Sequence, residues 1–173
     1  PAPMSETLRI GINGLGRIGR TVLRAAAQRL ADPDWKGVAR QGPTIEVVAA
    51  NDLIPADRLA YLVEHDSVHR WPRMEAGVTE RGVRAGPFDL ALSRHADPAS
   101  IGWRNLGVDV VLECTGRFSK RPEVAAHLEQ VDRVILGRPG EGDEMVVLGA
   151  NDERLTGDPR VLSAASCTTH ATA

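Results

Sequence analysis

Apolar and polar positions follow a recurring order along this chain: short apolar run, glycine-bearing turn, amphipathic stretch, apolar run again. Leu8 to Ile12 (LRIGI) reads as a short strand and leads directly into Asn13-Gly-Leu-Gly-Arg-Ile-Gly-Arg20. Thr21 to Leu30 has helical spacing, which predicts that Ile18, Val22, Ala25, Ala26 and Leu30 share one face. Ala31 to Pro43, rich in Pro, Gly and Asp, predicts a loop. Ile45 to Ala50 (IEVVAA) is a β-branched apolar run of the kind that forms a buried parallel strand, and it ends at Asn51-Asp52. Ala56 to His65 predicts a second helix, with Leu59, Leu62 and Val63 apolar.

From Arg70 to His95 the pattern shortens. Met74 to Val78 and Phe88 to Ser93, punctuated by Gly77, Gly82 and Gly86, predict short antiparallel strands with tight turns. Val108 to Glu113 is another buried strand, closed by Cys114-Thr115-Gly116. Glu123 to Gln130 predicts a helix behind Pro122, a residue suited to a first helical turn. Val131 to Leu136, Met145 to Leu148 and Val161 to Ala165 complete the strands, and no repeat or linker divides the chain. The succession predicts an α/β fold, a Rossmann-like doubly wound and mainly parallel sheet with short antiparallel additions. Ligands of such sheets bind beyond the carboxyl ends of the strands. Asn13, Asp52, Thr115 and Cys167 fall at those ends.

Composition narrows the class. The 173 residues suit one ordinary domain, and 42% hydrophobic with 25% charged residues describes a soluble globular chain. A net charge of −2 gives no electrostatic reason to expect nucleic acid or an acidic membrane surface. Cys114 and Cys167 have no metal-ligand spacing, so no metal site is expected and a reducing compartment is the default. PAPMSET at the start lacks the apolar stretch of a signal peptide, and no apolar run approaches the roughly 18 residues of a membrane span. A cytoplasmic location is therefore expected.

The chemistry concentrates in three places. Gly14-Leu15-Gly16-Arg17-Ile18-Gly19 is a GxGxxG set between a strand and a helix. Its first glycine permits a tight turn, and its second leaves room for a pyrophosphate. The third lets helix and strand approach, and the helix N-terminus offers free N–H groups to an anion. This predicts a bound dinucleotide. Asp52 is the natural acceptor for a ribose diol and would repel a 2′-phosphate, which favours NAD over NADP. It lies further along than the ~20 residues the fingerprint expects, because of the Ala31–Pro43 loop; its alternative is a surface cap. Asp32 and Asp34, within that loop, are weaker candidates.

Thr115 and Gly116 could line the adenine side of the dinucleotide, while Cys114 reads as a small core residue. Cys167 follows an apolar strand and opens a helix, a setting that favours thiolate. It is either a nucleophile for aldehyde oxidation through a thioester or a buried structural cysteine. Ser166, Thr168 and Thr169 beside it could bind an anion. His170, three residues on, is either a base for the thiol or a capping residue. His65, His69, His95 and His127 stand at no carboxylate or metal spacing and read as solvated or packed.

Five ordered blocks carry a resemblance: Asn13–Arg20, Ala50-Asn-Asp52, Asp66-Ser-Val-His69, Leu106–Gly116 and Ser163-Ala-Ala-Ser-Cys-Thr-Thr169. Together they resemble the phosphorylating glyceraldehyde-3-phosphate dehydrogenase family. The related erythrose-4-phosphate dehydrogenases share most of them, and Glu113-Cys-Thr-Gly116 and Arg138-Pro-Gly140 lean that way. The resemblance implies NAD as cofactor, with Asn13, Gly14, Gly16, Arg17, Ile18 and Gly19 around the pyrophosphate. It places Asp52 at the adenosine ribose, and Thr115, Gly116 and Arg117 at the adenine. It implies that Cys167 forms a thiohemiacetal with glyceraldehyde 3-phosphate and then an acyl-enzyme. Inorganic phosphate held by Ser166 and Thr168 would release the product.

The same resemblance implies a tail over residues 1–7, a cofactor domain over 8–165 and the start of a catalytic domain at 166–173. The family's catalytic histidine, its substrate-phosphate ligands and the sheet that builds its homotetramer would lie downstream of residue 173. The isolated chain is accordingly expected to be nearly inactive, and a non-catalytic nucleotide-binding module is the remaining alternative. Three positions depart from the family pattern. His170 stands where Asn is usual, Ala171 where a second Cys is frequent, and Leu136-Gly-Arg-Pro-Gly140 where a Ser-Ala-Pro-like stretch is common. The last departure removes one usual hydroxyl contact to the cofactor.

Overall fold

A computed structural model describes residues 7–32, 43–67 and 73–173. The expected tail through residue 6, most of the Ala31–Pro43 loop with Asp34, and His69 of the Asp66–His69 block lie outside the described residues. In chain order the elements are β1 (Thr7–Asn13), α1 (Arg17–Ala31), β2 (Thr44–Asn51), α2 (Ala56–Glu64), β3 (Ala76–Val78), β4 (Gly82–Ala85) and β5 (Phe88–Ser93). The second half supplies β6 (Val110–Glu113), α3 (Arg121–Leu128), β7 (Arg133–Leu136), β8 (Glu144–Met145), β9 (Val161–Ser163) and α4 (Cys167–Thr172).

The strands form one sheet of nine, in the order β3-β4-β5-β2-β1-β6-β7-β9-β8. β4 pairs antiparallel with both β3 and β5, and the other neighbours run parallel. This is the expected doubly wound sheet with a small antiparallel extension. Strand order diverges on the two sides of β1, so the switch point lies at its carboxyl end.

Period-two alternation divides the core. Ile10, Ile12 and Val110 face the layer of α1 and α2, where they pack with Leu23, Leu59 and Val63. Val111 and Val134 face the opposite layer, with Trp103 and Val124 of α3. Gly11 faces that second layer too, and a Cβ on it would lie 2.8 Å from the Trp103 ring. Helix α3 (Arg121–Leu128) starts and ends two residues earlier than the spacing suggested. The Glu123 carboxylate accepts from Ser119 N and Lys120 N, both at 3.0 Å, and so supplies its N-terminal cap.

Several expectations need correcting. The buried face of α1 is Gly19, Leu23 and the packed Ala26 and Ala27, whereas Ile18 is 51% and Leu30 41% exposed. The cause is Gly19, whose Cα must sit against the preceding turn, because a Cβ there would come within 2.1 Å of Gly14 O. That contact fixes the roll of the helix. β8 covers only Glu144 and Met145, and Val147 and Leu148 leave the sheet in a turn. β9 stops at Ser163, before the alanines. Thr7, assigned to the tail, is the first residue of β1.

Candidate functional site

The register of the central strands brings the predicted residues together. Asn13 at the end of β1 lies level with Asn51 of β2 on one side and Glu113 of β6 on the other. Above these ends is a cavity of about 200 Å³, lined by Asn13, Gly14, Gly16, Asp52, Thr115 and Arg117, among others. Two further walls, Asn51 and His95, were not singled out from the sequence as ligand-facing residues.

The three glycines of the fingerprint do different work. Gly14 adopts φ +91°, donates its N–H to Asn51 O at 2.8 Å, and runs so near Thr115 that a Cβ would meet its backbone at 2.8 Å. Gly19 abuts Gly14 O, as above. Gly16 has no protein atom within 4 Å of where a Cβ would be. Packing therefore does not require glycine at 16; only an occupant of the cavity would. Gly16 is also the N-cap of α1, and no side chain caps that helix. An uncapped 15-residue helix opening at the cavity rim offers N–H groups and a favourable dipole to a pyrophosphate. Arg17 and Ile18, the first two residues of α1, are exposed and do not line the cavity. The glycine turn and the helix start fit a dinucleotide.

Asp52 is held from two sides: Oδ2 accepts from Leu15 N at 2.8 Å and Oδ1 from Ile54 N at 3.0 Å. It thus ties the glycine turn to β2, and each oxygen keeps a lone pair toward the cavity. Thr115 donates both its N–H and its hydroxyl to Glu113 Oε1, the N–H at 2.8 Å, and its Oγ1 accepts from Arg117 N at 3.1 Å. The Arg117 guanidinium lies over the Phe118 ring, 5.8 Å from its centre. Gly116 O accepts from the Arg138 guanidinium, so the segment that departs from the family pattern braces this shelf.

Cys167 is exposed at the first position of α4, behind Ser166 as N-cap. Ser166 Oγ accepts from Thr169 N at 3.0 Å and lies 2.9 Å from Thr168 Oγ1. The turn that delivers the cysteine is unusual. Ala165, buried, has φ +54°, the left-handed region that disfavours residues with a Cβ. Its N–H donates to buried Ser163 Oγ at 3.3 Å, and that hydroxyl donates to Arg138 O at 3.0 Å. Arg138 thus joins the Gly116 shelf to the cysteine turn. Cys167, Ser166 and Thr168 do not line the cavity that gathers the glycine-turn residues. His170 is exposed and donates from Nδ1 to Ser166 O at 3.0 Å, a bond to the backbone of its own helix. That carbonyl already accepts from His170 N, so the contact caps no free helix end, and His170 is an exposed surface residue.

The two thiols differ. Cys114 is half-buried, and burial first, then the neighbouring Glu113 charge, pushes its pKa up to about 12. With neutral-pH iodoacetamide, we expect one equivalent to be taken up at Cys167, with Cys114 labelled only in denaturant; mass spectrometry of tryptic peptides reads this directly.

One pair escaped sequence reading. His127, taken as solvated or simply packed, is fully buried with Nε2 3.3 Å from Glu113 Oε2. A spacing of 14 residues carries no signal, because α3 crosses over β6 to make the contact. Among the described residues no group of three or more His, Cys, Asp or Glu could hold a metal ion, and no helix is long and apolar enough to cross a membrane.

Comparison with known proteins agrees with this geometry. The family described as glyceraldehyde 3-phosphate dehydrogenase, NAD binding domain, matches residues 8–121. The glyceraldehyde-3-phosphate dehydrogenase of Geobacillus stearothermophilus is 40% identical over 168 residues, 94% of this chain and 46% of that protein. That of Pseudomonas aeruginosa is 42% identical over 166 residues, 95% and 47% of the two chains. The enzyme of Thermotoga maritima is 36% identical over 167 residues. The chain spans about half the length of the curated relatives it matches. With its fingerprint turn, its sheet order and this match, the chain belongs to the glyceraldehyde 3-phosphate dehydrogenase family, in the part that forms the NAD-binding domain.

Proposed function

We propose that this chain binds NAD in the crevice at the end of β1 and carries, in Cys167, the nucleophile of a phosphorylating aldehyde dehydrogenase acting on glyceraldehyde 3-phosphate. The observation that carries the cofactor reading is Gly16, a glycine with empty space before it at an uncapped helix start. Gly14, Gly16 and the α1 N-terminus, with Arg17, receive the pyrophosphate, while Gly19 fixes the helix and Ile18 flanks the ligand. The remaining lone pairs of Asp52 accept the ribose hydroxyls. Thr115, Gly116 and Arg117 form the adenine shelf. Bound NAD supplies the hydride acceptor.

Cys167 attacks the aldehyde carbon as its own proton leaves and the carbonyl oxygen takes one up. Loss of that hydroxyl proton to solvent or a base, with the hydride going to the acceptor NAD would supply, leaves an acyl thioester. Inorganic phosphate, oriented by Ser166 and Thr168, attacks that thioester and restores the thiol. The same chemistry on erythrose 4-phosphate is the second reading, favoured by Arg138-Pro-Gly140 in place of a Ser-Ala-Pro-like stretch. A homotetrameric complete enzyme in the cytoplasm is part of this proposal and rests on the family resemblance.

Titration calorimetry with NAD and NADP tests the cofactor site. We expect NAD to bind at least about tenfold more tightly, since a 2′-phosphate would face the Asp52 carboxylate, and Asp52→Asn to narrow that gap. Equal affinities would remove Asp52 from the ribose site. For the reaction, phosphate-dependent NADH formation is compared with glyceraldehyde 3-phosphate and erythrose 4-phosphate in the protein and in Cys167→Ser.

A further inference from the structure

Along the cavity floor runs a row of largely buried polar side chains, two of which, Asn13 and Asn51, line the cavity itself. Register sets Ser93, Asn51, Asn13 and Glu113 side by side on four adjacent strands, β5, β2, β1 and β6. Asn13, Asn51 and Glu113 are all buried, as are His127 and Trp103 beyond them. From strand to strand the bonds run toward Glu113, and Asn51 Nδ2 also donates back to His95 O at 2.9 Å. His95 N and Ser93 Oγ donate to Asn51 Oδ1 at 2.9 and 3.0 Å. Asn51 Nδ2 donates to Asn13 Oδ1 at 2.8 Å, and Asn13 Nδ2 donates to Glu113 Oε2 at 2.5 Å.

From the other side, Trp103 Nε1 donates to His127 Nδ1 at 2.9 Å. The proton of that imidazole is therefore on Nε2, which donates to Glu113 Oε2 at 3.3 Å. Thr115 completes the set with its N–H and hydroxyl on Oε1. A backbone donor begins the row and an acceptor-only carboxylate ends it. With both ends fixed, neither asparagine amide has a free choice of orientation.

We infer that Glu113 is a positioning residue for the cofactor pocket: as the common acceptor, it orients Thr115 directly and the side chains of Asn13 and Asn51 in sequence, so that walls from β1, β2 and β6 share one geometry. This rests on the NAD reading above. It reaches beyond that reading by giving a role to the Glu113–His127–Trp103 group, none of which lines the cavity. A buried charge with this many donors has a purpose that an apolar residue of similar volume would not serve.

Glu113→Gln tests it. A Gln amide has one oxygen where Glu113 offers two, so its NH2 must face either the donors of Asn13 and His127 or those of Thr115, and the common acceptor is lost. NAD affinity, measured by calorimetry, should fall on the order of tenfold. Glu113→Asp retains an acceptor-only carboxylate on a stem one methylene shorter. It should hold NAD affinity within about threefold of the parent although it leaves more empty volume than Gln does, a result that loss of packing alone cannot produce. Glu113→Gln binding like the parent, or Glu113→Asp binding no better than Glu113→Gln, overturns the inference. If Glu113→Gln does not fold, Glu113→Asp must fold and bind within the same limit, and failure to do so also overturns it. Absence of NAD binding by the parent chain would instead count against the cofactor reading itself.

Discussion

Gly19→Ala is expected to unfold most of the chain at moderate urea, while Gly16→Ala, three residues earlier, leaves stability unchanged and removes cofactor binding. The contrast follows from what each new methyl meets. At Gly19 it would lie 2.1 Å from Gly14 O, a backbone atom held by the tight turn. Relief requires α1 to lift away from β1, which disturbs the packing of Leu23 against Ile10 and Ile12. The cost is about 3 kcal/mol or more, the upper end for overpacking, because no flexible side chain can yield. At Gly16 a methyl meets no protein atom within 4 Å, so the urea midpoint should move by less than about 0.5 kcal/mol equivalent. The same methyl projects where a pyrophosphate approaches the helix N-terminus, and NAD affinity should drop at least about tenfold by calorimetry. Equal stability losses in the two variants would contradict this assignment.

Trp103→Ala should cost about 3–5 kcal/mol, comparable with the whole margin of a modest domain. Among the described residues Trp103 is the largest fully buried side chain, lying against Gly11 on the face of the sheet opposite α1. Its removal opens a void under β1 and leaves His127 Nδ1 without its donor. Trp103→Phe separates the two effects. It keeps much of the ring volume, loses the indole N–H, and should cost about 1–3 kcal/mol. Urea unfolding followed by circular dichroism measures both, and a Phe variant as damaging as the Ala variant would assign most of Trp103's contribution to the hydrogen bond.

The features legible in the sequence were those with a local cause. The IEVVAA run and Val108 to Glu113 are apolar on both faces because both faces are covered, so they read as parallel strands from composition alone. The glycine fingerprint was legible from its spacing between a strand and a helix, although only Gly14 and Gly19 answer a steric demand of the protein itself. The face of α1 was not legible, since it is set by the contact of Gly19 with a carbonyl across the turn and not by apolar content. Ile18 and Leu30 followed the periodicity and are exposed. β4 was hidden between Gly82 and Gly86, where only its antiparallel neighbours define it. The Glu113–His127 pair was invisible for a related reason. It joins a strand end to a helix that packs across the sheet, and no periodicity carries that information. Within the site, residues at strand ends were found from their position, whereas the row that orients them required the register.

The left-handed backbone at Ala165 has a consequence for how Cys167, the proposed nucleophile, is placed. A non-glycine residue in that region costs about 1–2 kcal/mol, which glycine would not incur. Glycine, however, would open a wide range of torsions just two residues ahead of Cys167. The methyl of Ala165 closes that range, with Ser163 holding the N–H from behind. The turn therefore behaves as a stiff bracket with a narrow angular spread. The backbone at Cys167 is thereby held in one direction, and in the proposed reaction little backbone orientational entropy would remain to be lost when a carbonyl approaches.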